Sequence, residues 1–243
     1  MINNIQLFRG DCLKAMKVIS DKSIDMILCD LPYGTTDNCN WDENLNLAQL
    51  FEQYDRIIKD NGVIVLFAQQ PFATDLINAY RKYFRYEVIW EKNKPVGFFN
   101  AKKMPLRSHE NILFFYKKLP YYSPKLEDCN IKVDRTNDKN KVYGIGRGND
   151  NIYTRTKGNY PRSVVKYPNT FLPRLHPTQK PVELLQMLIE TYTDENFVVL
   201  DNCMGSGSTG VACMNANRKF IGIEKDEKYF EIAKRRIEEC GLS

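Results

Sequence analysis

Two stretches of this 243-residue chain bring chemistry-bearing residues close together. The first is Asp30-Leu31-Pro32-Tyr33, which follows the apolar run from Ile24 to Cys29. Open α/β sheets bind ligands outside the carboxyl ends of their strands. A carboxylate, a rigid proline and an aromatic face there suit a planar, hydrogen-bonding base. Taken alone, the tetrad reads equally well as an ordinary turn, where Asp and Pro are common. The second stretch is Asp201 to Gly210, between the run Phe197-Val198-Val199-Leu200 and a helical segment. Gly205, Gly207 and Gly210 match G-x-G-x-x-G, and Glu224 ends the next apolar run. Glycines let the backbone turn tightly and approach a ligand, and an acid at the end of the following strand accepts hydrogen bonds from ribose hydroxyls. A nucleoside-containing cofactor is therefore expected. Asp201 falls where the pyrophosphate of a dinucleotide would need positive potential. A cationic sulfonium tolerates that carboxylate, which favours S-adenosylmethionine over NAD.

The elements that must position these residues follow from hydropathy. Ile5–Phe8, Ile24–Cys29, Val63–Phe67, Glu87–Trp90, Ile112–Tyr116, Phe197–Leu200 and Phe220–Ile223 read as strands. Several are nearly continuous in apolar residues, as strands buried on both faces should be. Leu45–Ile58, Phe72–Phe84, Val182–Tyr192, Ser208–Asn215 and Glu227–Glu239 read as helices, the first stopping at Asn61-Gly62. The fourth and fifth strands are expected to pair as a hairpin at the sheet edge. Alternating strands and helices predict an α/β fold, a Rossmann-like, mostly parallel sheet with helices on both faces. The glycine turn lies near the C-terminus, so the N-terminal strands must complete its sheet and the order is circularly permuted.

Charge divides the chain further. Residues 117–174 hold 13 Lys and Arg against 5 Asp and Glu, a net of +8, while the whole chain carries +5, leaving −3 elsewhere. That segment is rich in Asn, Gly and Tyr and has no strong period. The expected organisation is therefore 1–116, an inserted region at 117–174, and 175–243. Arg147, Arg155, Lys157, Arg162, Lys166 and Arg174 interleave with tyrosines there, as expected for contact with a polyanion. The longest apolar runs are too short to span a bilayer, and the N-terminus lacks a signal-peptide pattern, so a cytoplasmic protein without a membrane partner is expected. Seven cysteines with no C-x-x-C pair and two distant histidines predict reduced thiols and no metal site.

The motifs together carry a family resemblance. Asp30-Leu31-Pro32-Tyr33 resembles the D-P-P-Y motif of amino-group DNA methyltransferases, and Asp201–Thr209 resembles their D-P-F-x-G-S-G-T-T cofactor motif. His176-Pro177-Thr178-Gln179-Lys180-Pro181 resembles the H-P-T-Q-K-P block, Gly10-Asp11-Cys12-Leu13 the early G-D-C block, and Arg107-Ser108-His109-Glu110 with Ile112-Leu113-Phe114 an R-x-x-H-E-x-I-L-x-F segment. Tetrad, insertion and cofactor motif stand in the order of the β class. Leu31 departs from the first proline of the tetrad, and Asn202-Cys203 from Pro-Phe.

The resemblance implies that Asp11, Cys12, Asp30, His176, Thr178, Gln179, Lys180, Asp201, Gly205, Ser206, Gly207, Ser208, Thr209 and Glu224 hold S-adenosylmethionine. It implies that Asp30 and the Leu31 carbonyl accept the two N–H bonds of an exocyclic amino group, that Pro32 and Tyr33 complete the catalytic tetrad, and that Tyr33 stacks on the base. The partner is then double-stranded DNA with the target base flipped out, and residues 117–174 read the target. In the family, Asp at the first tetrad position goes with adenine N6; cytosine N4 remains the alternative. An NAD-type oxidoreductase on the glycine motif alone, and a DNA-binding relative without catalysis, are the readings from other classes. Whether the chain dimerises, or accompanies a cognate restriction endonuclease, is open at this stage.

Overall fold

The computed structural model describes residues 4–32, 45–133, 153–169, 175 and 179–241, with backbone alone at 127–133 and 153–157. Tyr33, His176, Thr178, Arg147 and Arg174 lie outside the described residues, and the side chains of Arg155 and Lys157 are not described.

Among the described residues, ten strands and six α-helices follow in order: β1 Ile5–Arg9, α1 Cys12–Ala15, β2 Ile24–Asp30, α2 Leu47–Ile57, β3 Ile58–Ala68, α3 Phe72–Ala79, β4 Phe84–Val96, β5 Arg107–Phe115, β6 Glu127–Val133, β7 Tyr153–Asn159, β8 Val164–Tyr167, α4 Val182–Tyr192, β9 Val198–Asp201, α5 Ser208–Asn215, β10 Lys219–Glu224 and α6 Glu227–Cys240. Eight strands form one sheet, in the order β1-β10-β9-β2-β3-β5-β4-β8. Strands β1 to β3 in that order pair in parallel, β5 runs antiparallel to β3 and β4, and β8 lies parallel to β4. This is the permuted, Rossmann-like sheet expected from the motif order.

The burial pattern explains the layers. Successive side chains of a strand point to opposite faces. Along β3, Ile64, Leu66 and Ala68 join one core with Leu50, Phe51, Tyr54 and Ile57 of α2 and Leu76 of α3. Val63, Val65 and Phe67 join the other with Leu184, Leu188 and Ile189 of α4, Cys213 of α5, and Ala233 and Ile237 of α6. A strand buried on both faces needs apolar residues at every position, which is why β2 and β3 read as unbroken runs. In β2, which Asp30 ends, Asp25 is the polar residue inside the apolar run. Its carboxylate accepts from the Val198 amide at 2.9 Å and from Lys59 Nζ at 2.7 Å, stitching β9 and β3 to β2.

The winding reverses between β9 and β2. From β9 the chain steps through α5 to β10 on one side; from β2 it steps through α2 to β3 on the other. A crevice forms outside the carboxyl ends of two strands at such a switch point. Asp30, Leu31 and Pro32 and the glycine turn open into it.

Some boundaries differ from expectation. Strand β3 begins at Ile58 directly after α2, with Asn61-Gly62 inside it: Ile58 pairs with Ile24 and Val63 with Met26, so the intervening residues form a bulge. A Cβ on Gly62 would meet the Asp25 carbonyl at 2.9 Å, which is why the bulge takes glycine. Helix α3 ends at Ala79, where Tyr80 leaves helical geometry and stacks on Phe51 with centroids 4.5 Å apart. The hairpin of β4 and β5 forms, but β8 covers its outer strand, so it is not the edge. Residues 124–162 form a separate compact unit containing the β6–β7 antiparallel pair. That unit is narrower than the 117–174 drawn from composition, because residues 163–167 return to the main sheet as β8 and pair with β4.

Gly210 lets α5 pack closely against its neighbours. An added Cβ would lie 2.3 Å from Ile237 Cδ1 and 2.8 Å from the Phe220 ring. Gly210→Ala should therefore lower unfolding stability by about 1–3 kcal/mol through overpacking, measured by urea denaturation. An unchanged midpoint would mean that the Ile237 side chain moves aside freely.

Candidate active site

The crevice is lined from both halves of the sheet. Asp11 and Cys12 follow β1; Asp30 ends β2, with Leu31 and Pro32 just after it; Gln179 and Lys180 precede α4; Asp201 ends β9, Gly205 and Ser206 lie in the turn after it, and Ser208 and Thr209 open α5; Glu224 ends β10. These expected cofactor and tetrad residues are thus brought together from positions as far apart as 11 and 224. Gly207 does not line the crevice; it makes the turn possible. Its φ is +79°, and a Cβ there would meet Ala233 of α6 at 2.8 Å.

Local hydrogen bonds hold this rim in shape. Asp201, buried, accepts from Thr209 Oγ1 at 2.6 Å and from the Cys203 amide at 3.1 Å, so it braces both ends of the glycine turn. Burial pushes its carboxyl up to about 6, with the Thr209 hydroxyl pulling the other way. Glu224 accepts from the amides of Gly205 and Asp226, each at 2.8 Å. Burial raises its carboxyl too, opposed by those amides. Asp11 caps α1, accepting from the Lys14 amide at 2.9 Å. Gln179 accepts from the Leu175 amide at 2.9 Å.

The departures at Asn202 and Cys203 have local partners. Asn202 accepts from the buried Tyr54 hydroxyl at 2.6 Å, tying the turn to α2. The Cys203 thiol lies with those of Cys12 and Cys29 beneath the crevice; Cys29 is pushed up to about 12 by burial, and Cys12 is raised by its hydrogen bond with Cys203 and by burial. These thiols stay protonated at neutral pH, so none is a ready thiolate nucleophile.

A buried ladder of charges stands behind Asp30. Lys180 Nζ is 2.6 Å from Asp30 Oδ2 and 3.2 Å from Glu110 Oε2. Lys92 of β4 and Gln69 bind the other oxygen of Glu110. The side chains of Lys180, Glu110 and Lys92 are 8%, 7% and 6% exposed. Burial opposes the Lys180 charge, but Asp30 and then Glu110 hold it above the usual lysine range. Burial also opposes the Glu110 charge, yet Lys180 and Lys92 bring it down to about 2. The buried Lys180 ammonium, bonded to Asp30, fixes the orientation of that carboxylate.

Sequence reasoning left Glu110 and Lys92 without a role in the site. Each stands two residues outside a strand expected from hydropathy, Lys92 after Glu87–Trp90 and Glu110 before Ile112–Tyr116. Their meeting depends on the register of β4 against β5, which local pattern does not give. Of the basic residues expected to touch a polyanion, Lys166 lies on β8, exposed, 3.2 Å from Glu91, and does not line the crevice; Arg162 is exposed at the end of the separate unit.

A switch-point crevice with a glycine turn, an acid at the end of the next strand and a carboxylate tetrad defines a Rossmann-like enzyme of the nucleoside-cofactor type. The sequence matches the DNA methylase family over residues 24–235, and the chain belongs to it. It is 30% identical to the type II methyltransferase M.HpaI of Haemophilus parainfluenzae, covering 96% of this chain and 74% of that protein. It is 28% identical to the DNA adenine methyltransferase YhdJ of Escherichia coli K12, covering 96% and 82%. The solved complex of M1.HpyAVI with S-adenosylmethionine superposes with a TM-score of 0.67 at 26% identity, covering 96% of this chain and 98% of that one. The family's methyl donor is S-adenosylmethionine, and the crevice fits a cationic ligand of that kind through the acidic residues Asp11, Asp30, Asp201 and Glu224 that line it.

Proposed function

We propose that the chain methylates the exocyclic N6 of an adenine flipped out of double-stranded DNA, with the sites assigned above. The observation that carries this reading is the placement of Asp30 and Leu31, from the end of β2, in one crevice with the glycine turn from the end of β9. An exocyclic amino group is a poor nucleophile because its lone pair is delocalised into the ring. Bound S-adenosylmethionine supplies an activated methyl group on a sulfonium. The Asp30 carboxylate and the Leu31 carbonyl accept the two N–H bonds and turn the nitrogen lone pair into the crevice. As the nitrogen–methyl bond forms and the sulfur–methyl bond breaks, leaving S-adenosylhomocysteine, Asp30 faces the positive charge that grows on nitrogen, a preorganised acceptor that then takes the proton the methylated nitrogen sheds. Lys180 holds the Asp30 carboxylate in place. Pro32 restricts the backbone, and Tyr33 stacks on the base. Glu224 binds the ribose, and Asp11, Gln179, Ser206, Ser208 and Thr209 complete the cofactor site, with His176 and Thr178 from the block before α4. The basic residues from 117 to 174, Arg147, Arg155, Lys157, Arg162, Lys166 and Arg174 among them, contact the DNA.

Incubation with labelled cofactor and unmethylated plasmid, followed by nucleoside mass spectrometry, tests this. N6-methyladenine is expected. N4-methylcytosine would reassign the base, and no methylated base despite intact cofactor binding would overturn the enzyme reading.

The acidic crevice also predicts a pH signature. Asp201 loses its charge as pH falls through about 6, so affinity for cationic S-adenosylmethionine should weaken a few-fold below that pH. The uncharged thioether S-adenosylhomocysteine should bind with no such change. Isothermal titration of both ligands from pH 8 to pH 5 reads the difference; parallel curves would remove the electrostatic role given to Asp201.

A further inference from the structure

The β4–β5 hairpin does not stop at the rim of the crevice. Ala68, the last residue of β3, is level with Asn111 of β5 and Ile89 of β4. Strand β5 begins four residues earlier, at Arg107, which pairs with Val96. At about 3.3 Å per residue the hairpin therefore projects roughly 13 Å beyond the end of β3. Because β4 runs in the same direction as β2 and β3, this finger rises on the edge of the sheet where Asp30 and Pro32 lie. Its base is fixed by the Lys92–Glu110–Lys180–Asp30 ladder and by Asn169, whose side-chain amide accepts from the Lys94 backbone N–H at 3.1 Å and donates to the Lys94 carbonyl at 3.0 Å.

The tip carries an unusual surface. Gly97, with φ +94°, opens a short helical turn, Phe98–Asn100, whose two phenylalanines are 66% and 106% exposed. Met104 is exposed beside them, as are Lys94, Lys102 and Lys103. No acidic residue occurs between Lys92 and His109. Exposed aromatics at the end of a projecting finger are costly in water unless something covers them. The basic residues around them select a polyanion. A duplex base stack flanked by phosphates offers both surfaces, since apolar wedges insert between base steps while lysines neutralise the backbone.

We infer that the Phe98–Phe99 tip is a wedge that enters the duplex base stack and holds open the gap left by the target base. The inference rests on the proposed function and adds a DNA-contacting element outside the basic insertion. Opening a paired base costs unstacking energy, least where the base is already mispaired. The Phe98→Ala/Phe99→Ala double variant should therefore lose roughly tenfold or more in kcat/KM on a paired duplex holding a site that the wild type methylates in plasmid. The same duplex with the target base mispaired should restore it to within a few-fold of wild type. Cofactor affinity and melting temperature should not change, because both side chains are exposed. Wild-type activity on the paired duplex, or an equal loss on paired and mispaired duplexes, would overturn the wedge. So would a wild-type dimer that the double variant dissolves in sedimentation, since the tip would then be an interface between copies.

A second arm needs no catalysis and so separates this inference from the proposed function. Phe99→Trp should have its indole emission quenched by plasmid DNA and unchanged by heparin, a polyanion without bases. No quenching by DNA, or equal quenching by heparin, would overturn the wedge even if the wild type methylates; quenching by DNA alone would support it even if no methylated base were found.

Discussion

Asp30→Ala should reduce methyl transfer by roughly a hundredfold to a thousandfold, the range for removing one preorganised electrostatic group. Cofactor affinity should stay within a few-fold of wild type, because the glycine turn, Glu224 and the remaining rim are untouched. The loss belongs in kcat: the interaction strengthens as positive charge grows on the amino nitrogen, so it lowers the barrier more than it aids binding. The fold should tolerate the change. The Asp30 side chain is 18% exposed, and Lys180 keeps Glu110 as a partner when Asp30 is removed. Asp30→Asn sharpens the result, since it preserves shape and one acceptor while removing the charge; it should recover only part of the lost rate. Steady-state assays with cofactor titration measure both quantities. Wild-type kcat in Asp30→Ala would remove Asp30 from the chemistry.

Glu110→Gln should be the most costly single change to the fold near the site, at about 3–5 kcal/mol. It removes the shared anion between Lys180 and Lys92 and leaves two buried ammonium groups with Asp30 as the remaining carboxylate of the ladder. The pH dependence identifies the cause. The folded carboxyl of Glu110 lies at about 2, below its ordinary 4.5, so its contribution is complete above about 4.5 and lost as pH falls from there towards 2. Lys180 is displaced the other way, above 10.5. Its contribution is complete below 10.5 and lost as pH rises through the folded value. The melting-temperature gap between wild type and Glu110→Gln should therefore be widest across the neutral range and close on acidification below 4.5. A gap that stays constant from pH 7 to pH 3 would show a packing defect instead of a charge effect.

The two variants divide the site into a reacting group and its support. Asp30→Ala should lose rate and keep stability, whereas Glu110→Gln should lose stability first. Lys180 belongs to both, because it touches the reacting carboxylate at one end and the supporting one at the other. The same ladder anchors the β4–β5 finger, so Asp30, proposed to act in methyl transfer, and the proposed DNA wedge share one base.

Much of this architecture was legible in sequence because its signals are local. Ile24–Cys29 and Val63–Phe67 read as buried strands because a two-sided sheet requires an apolar residue at every position. The glycine turn was legible because positive φ and close helix packing admit little besides glycine at 207 and 210. The tetrad gained meaning from its order relative to that turn. What local signals missed was decided by competing contacts. Tyr80 left its helix to stack on Phe51, and Ile58 entered a strand because Ile24 was there to pair with it. The strands at 127–133, 153–159 and 164–167 carry too few aliphatics to stand out from a polar segment.

By itself, the sequence determined which chemistry is available: a carboxylate tetrad, a nucleoside-binding turn and a basic insertion, in an order that requires a permuted sheet. Only the tertiary structure decided how those groups act together. Hydropathy marks burial but not register, and register is what sets Glu110 beside Lys92 and brings both to Lys180. Strand direction, likewise, is invisible in composition. It is the parallel course of β2, β3 and β4 that puts Asp30 and the Phe98–Phe99 tip on one edge of the sheet.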